Sequence, residues 1–565
     1  MNLRMVTQRD LVRLLTSLAI LVPGNALAQS VIVSPEADIS RLRLNPPELP
    51  TQQDLDLTIR NPEKSVVPKD VSTIDFFVSR VQVNGVTYFG EDRIRAIFGP
   101  LEGQRIRLET LREQADRLQA LYAGQGFLLT RVIIPPQRIE DGIVIIEVVE
   151  GFIDDILIEN DRIVGAKLAQ DSLETLRGQR PLSIRELDSK LLILNEVPGV
   201  AVKTLLRPGN QLGAASMVVS TSRLPNQGFA SIGNTGSNAI GPAIYSLGYT
   251  INSPLGRPGA LDFSATVAGR SLAELQAASA RYAVPIGSSG TILYLGGLAA
   301  RAKPGGEASD LDVASTSYSL EARLRTPLHR SRSSALYLEG ALLFAGTRTN
   351  ALGAEITRDK IFSHQIGLRG RHQSSFGQTT AQVMVTAGLP AFGALDEEIP
   401  NPSVAGFEPN FSKVNWQLDH TVALNNTTSF LTRVVGQWTD DRLLAGEQVA
   451  FGGQLLGRGY APSALTGDKG TGVLAELSFD IPGAQAAGVI SNVELYGFTD
   501  AAQTRLLPAD GIASEKQSLV SYGFGLRGLL ADRLILDLQF ASEGRDIPGG
   551  ESRPARINLS LVSAF

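Results

Sequence analysis

Arg458 stands in a glycine-rich stretch, Phe451 to Lys469, that reads FGGQLLGRGYAPSALTGDK. Gly457 and Gly459 flank it, and Tyr460 follows. A guanidinium is always charged, and its rigid fork of N–H donors suits a carboxylate. Glycines leave such a loop flexible unless something holds it. Two carboxylates lie downstream at positions where alternation gives them a direction. In Val473 to Ile481 the odd positions are apolar, which puts Glu476, Ser478 and Asp480 on the opposite face. In the next segment Val493 and Leu495 share the apolar face, and Glu494, Tyr496, Phe498 and Asp500 lie opposite. If the loop folds toward that polar side, Arg458 meets a face lined with carboxylates, Glu476 and Asp500 among them. A planar bidentate pair would pin one loop conformation. Spacing alone leaves another reading open, a solvated arginine on a surface loop.

Other candidate chemistry is sparse. His329, His364, His372 and His420 are isolated and lack metal-ligand spacing. His364 and His372 have an even separation and could share a strand face as polar lining. Cysteine is absent, so thiolate metal sites, disulfides and cysteine nucleophiles are impossible. No nucleophile–base constellation stands out, and the expectation is a non-enzyme with no cofactor and no metal. A net charge of −5 gives no reason to expect nucleic-acid binding.

The elements that must position the loop follow from length and hydropathy. A chain of 565 residues exceeds one ordinary core. Mean hydropathy is +0.04, high for a soluble protein. Yet beyond the N-terminal thirty or so residues no apolar run of about 18 residues occurs, which excludes helical membrane spans. A transmembrane β-barrel reconciles the two, because its apolar surface is spread over alternate positions. From Gly228 onward the sequence reads as about sixteen alternating segments of roughly ten residues, separated by Gly, Pro, Asn, Asp or Ser clusters. The last are clearest: Leu534, Leu536, Leu538 and Phe540 oppose Asp537 and Gln539, and Ile557, Leu559 and Leu561 alternate with Arg556, Asn558 and Ser560 before the terminal Phe565. Lys303 to Leu311, Gly346 to Lys360, Pro390 to Pro409 and Thr504 to Lys516 read as long polar connections, and the others as tight turns. A soluble sandwich would explain the alternation but not the aromatic terminal strand.

Upstream, residues 1–28 read as a secretory signal peptide. Arg4, Arg9 and Arg13 precede the apolar Leu14 to Val22, and Ala26-Leu27-Ala28 supplies a cleavage site. Residues 29–72 form a proline-interrupted tether with one short helix expected, capped by Ser34 with Pro35 at its first position and carrying Ile39, Leu42 and Leu44. Residues 73–151 show the order β-α-α-β-β, with a long helix over Leu108 to Ala123 and strands over Leu128 to Pro135 and Ile143 to Glu150. Residues 152–224 repeat that order, which argues for two tandem modules ahead of a barrel over 225–565.

These residues together resemble a known family. Leu456-Gly457-Arg458-Gly459-Tyr460, between the eleventh and twelfth expected strands, is similar to the arginine-glycine-aromatic tip of the inward-folded sixth loop in the BamA/TpsB superfamily. Phe498-Thr499-Asp500 resembles the aromatic-x-Asp motif that receives that arginine, which implies Asp500 as first-choice partner and Glu476 as second. Gly126 to Gln137, with Asp141-Gly142 and Glu147 to Gly151, resembles the first POTRA module of two-partner secretion transporters of the ShlB/FhaC/HecB type. The resemblance covers nearly the whole mature chain. It departs from the family where Gly457 replaces a common valine, and where the helix near Pro35 to Leu44 is short for a barrel plug.

The resemblance implies an outer-membrane pore of Gram-negative bacteria that exports one large partner exoprotein of haemolysin or adhesin type without ATP. It implies contact with outer-membrane lipid and with the barrel assembly machinery during biogenesis, Phe565 being the assembly signal. A POTRA edge at Leu128, Thr130, Val132 and Ile134 is expected to add a client segment as a strand. A BamA-like insertase and a passive outer-membrane channel are the alternative readings.

Overall fold

The structure is a computed structural model that describes residues 38–44, 57–59, 74–160, 163–394, 401–483, 490–509, 513–530, 534–547 and 555–565. The signal-peptide reading, with cleavage near Ala28, lies outside them, as does most of the tether.

Strands β2 (Asp75–Val78) and β3 (Arg80–Asn84) open the first module, where one continuous strand is expected. Helix α1 (Glu91–Phe98), strand β4 (Gln104–Arg107), helix α2 (Leu108–Gly124) and strands β5 (Arg131–Ile133) and β6 (Ile143–Val149) follow. The main sheet runs β3-β6-β5, and β2 pairs separately with β4. Leu111, Ala115, Leu118 and Tyr122 recur at helical spacing on α2, and all are buried. Leu111, Leu118 and Tyr122 meet Val144, Ile146 and Val148, the inward alternates of β6.

Glu150 closes this module as a hub. It is 6 % exposed. It accepts hydrogen bonds from the Thr87 and Tyr88 backbone N–H groups and from the Thr87 and Tyr122 hydroxyls. Burial pushes its pKa up, but these donors outweigh burial and hold it below the ordinary glutamate value.

The second module repeats the plan with β7 (Phe152–Ile158), α3 (Ala166–Leu173), α4 (Ile184–Asn195), β8 (Val200–Pro208) and β9 (Ala214–Arg223). Its sheet gains a strand from the tether. Leu57–Ile59, β1, pairs in parallel with Thr204–Leu206 and covers the edge of β8. The module is fastened to one barrel turn and to the strand that follows it, Ser334–Ala351. Asp188 receives both Nε (2.7 Å) and Nη2 (2.9 Å) of Arg332, and Tyr337 donates to Glu196 at 2.7 Å.

Sixteen antiparallel strands, from Gln227–Gly233 to Arg556–Ala564, close into a barrel. Closure abolishes edges, as a membrane-spanning sheet requires. The seam pairs Phe229–Gly233 with Ser560–Ala564, and the Phe565 amide donates to the Gly228 carbonyl at 2.9 Å. Strand lengths depart from the sequence expectation. Gly346 to Lys360 is not a long connection: strands Ser334–Ala351 and Ala354–Ser374 run through it and turn at Leu352-Gly353. Alternation there was masked by polar residues, because the upper parts of these strands have no lipid-facing apolar requirement.

Candidate functional site: a loop locked inside the barrel

The Arg458 loop leaves the eleventh barrel strand, Thr428–Trp438, and returns into the twelfth, Lys469–Asp480. A small hairpin, Val449–Phe451 with Leu465–Gly467, narrows its neck. Phe451, Leu456, Tyr460 and Leu465 are buried against Ala502 and Leu519 of the barrel wall. Glycine is needed at two points of the tip. Gly457 has φ 86°, which side-chain-bearing residues rarely adopt. A Cβ on Gly459 would lie 2.5 Å from the Ser542 carbonyl, so the tip rests on strand Leu534–Glu543.

Arg458 is 5 % exposed. Its Nη1 donates to Glu476 Oε2 at 2.5 Å and its Nε to the Gln454 carbonyl at 3.2 Å. The guanidinium carbon lies 4.6 Å from the centre of the Phe498 ring. Asp500 has a different part: it accepts the Arg458 backbone N–H at 3.2 Å and the Ser521 hydroxyl. The expected ranking of partners is therefore reversed, and the side-chain pair is made through one nitrogen instead of a bidentate fork. The register gives the reason. Asp500 pairs with Leu474, whereas Glu476 pairs with Phe498, two positions nearer the periplasmic end. The loop backbone sits level with Asp500, and the long arginine side chain reaches down past it over Phe498.

Sequence reasoning missed a second arginine. Arg527 Nη1 donates to Glu476 Oε1 at 2.8 Å and to Glu494 Oε1 at 3.0 Å, and its Nε lies 3.4 Å from Asp537. It stacks 3.9 Å from the centre of the Tyr496 ring, and Tyr496 donates to Asp537 at 2.7 Å. Parity could have found it. Buried Leu519 and Ser521 mark the odd positions of Glu515–Leu530 as inward, and Arg527 shares them. Val493, expected to face lipid beside Leu495, is 7 % exposed, because the register shifts between Ser491 and Glu494. Tyr460 sits with its hydroxyl between the carbonyls of Val520 (2.8 Å) and Arg545.

The base of the loop is tied by Asp468, which is fully buried. It accepts from the backbone N–H groups of Leu443 (3.0 Å) and Leu507 (2.7 Å) and from Gln448 Nε2 (3.0 Å). Beside it, Glu447 holds Lys413 Nζ at 2.7 Å.

A second segment enters the lumen. Asp38–Leu44 forms a turn and not a helix, so the helix expected from Ser34 and Pro35 does not extend through its described part. The Asp38 carboxylate takes the Ser40 N–H at 2.7 Å and the Ser40 hydroxyl at 2.9 Å, a local bond that competes with helical pairing. Ile39, Leu42 and Leu44 pack on Leu275, Ala277, Leu298 and Ala300 of the barrel wall. Arg43 reaches Glu447 at 3.5 Å, and Arg41 donates to Gln448 at 3.3 Å.

In the first module, the four expected client-binding residues divide. Leu128 is exposed and precedes β5; Thr130 is 2 % exposed. Val132 and Ile134 lean on the module's own core. β5 is an edge strand, and its outward Val132 N–H is already taken by Gln119 Oε1 at 3.1 Å. The outward-facing side chain is Ile133, 36 % exposed.

A closed sixteen-strand barrel with tandem α+β modules on one side and an arginine-tipped loop within defines an outer-membrane transporter with periplasmic POTRA domains. Comparison with known proteins narrows the class. The sequence profile of the haemolysin secretion/activation proteins ShlB/FhaC/HecB matches residues 217–528, and that of the ShlB-type POTRA domain matches residues 76–151. The chain belongs to the ShlB/FhaC/HecB family. Among curated relatives, the heme/hemopexin transporter protein HuxB of Haemophilus influenzae is 23 % identical, over 72 % of this chain and 73 % of that protein. The outer membrane transporter CdiB of Escherichia coli O6:K15:H31 is also 23 % identical, over 72 % and 69 %. Among solved structures, CdiB from Escherichia coli superposes with a TM-score of 0.70 at 20 % identity, covering 89 % of this chain and 93 % of that one. BamA from Haemophilus ducreyi lacking POTRA domains 1–3 gives 0.53 at 12 % identity, covering 87 % and 100 %, a likeness of fold alone.

Proposed function

We propose that this protein is the outer-membrane pore of a two-partner secretion pair, which recognises one large exoprotein through its POTRA modules and passes it through the barrel without ATP. The observation that carries the reading is Arg458 paired with Glu476 inside a closed barrel behind two modules of POTRA type. In this reading Arg458, Gly459 and Tyr460 form a lock with Glu476 and Asp500 that holds the loop in one position while client passes.

The client docks on the first module as an added strand along β5, displacing Gln119 from the Val132 N–H. The backbone of β5 gives sequence-tolerant affinity, and Leu128 and Ile133 offer apolar contacts. Thr130, Val132 and Ile134 serve by shaping the edge from inside. Residues 1–28 are removed near Ala28, and 29–72, 73–151, 152–224 and 225–565 are tether, first module, second module and barrel. Outer-membrane lipid surrounds the barrel, and the assembly machinery inserts it by way of Phe565. The chain needs no cofactor, metal or nucleic acid and performs no catalysis.

The test is to delete the gene and compare secreted and outer-membrane proteins. Loss of one large exoprotein supports the reading. A fall of the whole outer-membrane barrel population would instead mark an insertase, and unchanged secretion a passive channel.

A further inference from the structure

The outward faces of three adjacent strands carry a graded pattern that the secretion function does not use. Lys469 pairs with Arg505 and Arg505 with Lys516, so three basic residues lie side by side at one level. Each shares the parity of its strand's lipid-facing residues. These are Val473, Leu477 and Phe479 on the first strand, Leu495 on the second, and Val520, Tyr522 and Phe524 on the third, all more than a third exposed. One level inward along the strands, Thr471 pairs with Gln503 and Gln503 with Ser518. Below that level every outward residue on these strands is uncharged among the described residues. The order is therefore apolar, then hydroxyl and amide, then basic.

Two flanking groups extend the row. Trp438 is 51 % exposed, with Lys469 Nζ lying 5.7 Å from the centre of its ring. Arg545 donates to Ser518 at 2.8 Å. Asp440, 3.1 Å from Lys469, neutralises one charge and is itself largely exposed. The row lies at the end of the barrel remote from the POTRA modules, since strand Thr428–Trp438 runs away from the short turn that follows Ala423.

We infer that Trp438, Lys469, Arg505, Lys516 and Arg545 form a binding site for a phosphorylated lipid headgroup of the outer leaflet. This rests on the outer-membrane orientation assigned above. The pattern matches a lipid molecule layer by layer. Acyl chains meet Val473, Val520 and Tyr522. The sugar or glycerol zone meets Thr471, Gln503 and Ser518. Phosphate oxygens meet the basic row, where Arg505 can offer two donors to one phosphate. Trp438 sits at the interface, as amphipathic rings do in barrel girdles.

Each basic residue beside an anionic lipid surface adds about fivefold in affinity. Arg505→Gln with Lys516→Gln should thus weaken binding by about twenty-five-fold. The experiment uses the full-length protein in neutral detergent, titrated with a diphosphorylated glucosamine lipid, its dephosphorylated form, or inorganic phosphate. Bound lipid is counted by native mass spectrometry, and heat-modifiable migration checks that the barrel is folded. Weaker binding of the phosphorylated lipid alone in the double variant supports the site. Equal binding by variant and wild type overturns it, and so does displacement by micromolar inorganic phosphate, which would mark a free-anion site. Loss of heat-modifiability in wild type would strike the barrel reading on which the site rests, whereas equal binding with the barrel folded strikes the site alone. Should the double variant fail to fold, Lys516→Glu alone, at an exposed position, gives the same comparison.

Discussion

Among the described residues two stretches of chain occupy the inside of this barrel, and they are held very differently. The loop Phe451–Lys469 is fixed at both ends. Its tip places Arg458 between Glu476, Phe498 and Asp500, and its base buries Asp468 under three donors. The strap Asp38–Leu44 rests on three aliphatic side chains, and Arg43 shares Glu447 with Lys413. Three buried aliphatic side chains contribute about 5–9 kcal/mol. Ordering seven backbone residues costs about 7–14 kcal/mol. The strap is therefore close to balance, while the loop is over-determined. The two inserted segments thus differ in how readily they yield.

The largest test of that contrast is at the tip. Arg458→Ala removes the only side-chain charge that the loop tip brings to the lumen wall. Secretion of the partner should fall at least tenfold, while heat-modifiable migration shows the barrel still inserted. Normal export by this variant would remove the lock from the mechanism.

Next in size are the two acceptors, which the geometry separates. Glu476→Gln breaks contacts to Arg458 and Arg527 together, and breaking a buried pair costs about 3–5 kcal/mol. Asp500→Asn loses charge toward one backbone N–H and one hydroxyl, worth about 1–3 kcal/mol. Thermal unfolding in detergent should rank Glu476→Gln as the more harmful. The reverse ranking would restore Asp500 as the principal partner.

A reference point outside the barrel sets the scale. Glu150→Gln turns one of two acceptor oxygens into an amide donor, so at least one of four donors in the first module loses its acceptor, at a cost of about 1–3 kcal/mol. The depressed pKa of Glu150 fixes the sign of the acid response. Its stabilisation is complete above the unfolded value, about 4.3, and is lost as pH falls through the lower folded value. The isolated barrel lock should be insensitive to this substitution. Hydrogen exchange that rises in residues 74–151 and not in 449–469 would show it.

What alternation can report was legible in the sequence. Period-two patterning found the barrel, its inward carboxylates and the direction of Glu476 and Asp500, because burial on one face constrains every second residue. Helical spacing on Leu111, Ala115, Leu118 and Tyr122 found α2 in the same way. What depends on distance between strands was not legible. Whether Glu476 or Asp500 meets the guanidinium is decided by a two-residue offset in register and by how deep the loop sits. Parity marks Arg527 as inward, but its partners Glu476, Glu494 and Asp537 stand on other strands, and only register brings them together. Leu57–Ile59 is too short to carry a pattern, and its pairing with β8 depends on an edge that only the folded module presents.

The smallest effect falls on the strap, and there the two readouts should diverge. Arg43 lies 3.5 Å from Glu447, whose other oxygen is held by Lys413 at 2.7 Å. Removing Arg43 therefore leaves no unpaired buried charge, and Arg43→Ala should cost less than about 1 kcal/mol in global unfolding. The same change removes a polar anchor from a segment already near balance, so the strap should leave its site more often. Single-channel recording in planar bilayers should show more frequent large openings than in wild type, with Arg458→Ala as the contrasting case. A large loss of stability with unchanged conductance would mean that the strap is fixed as firmly as the loop. The division of labour between the two inserted segments would then have no basis.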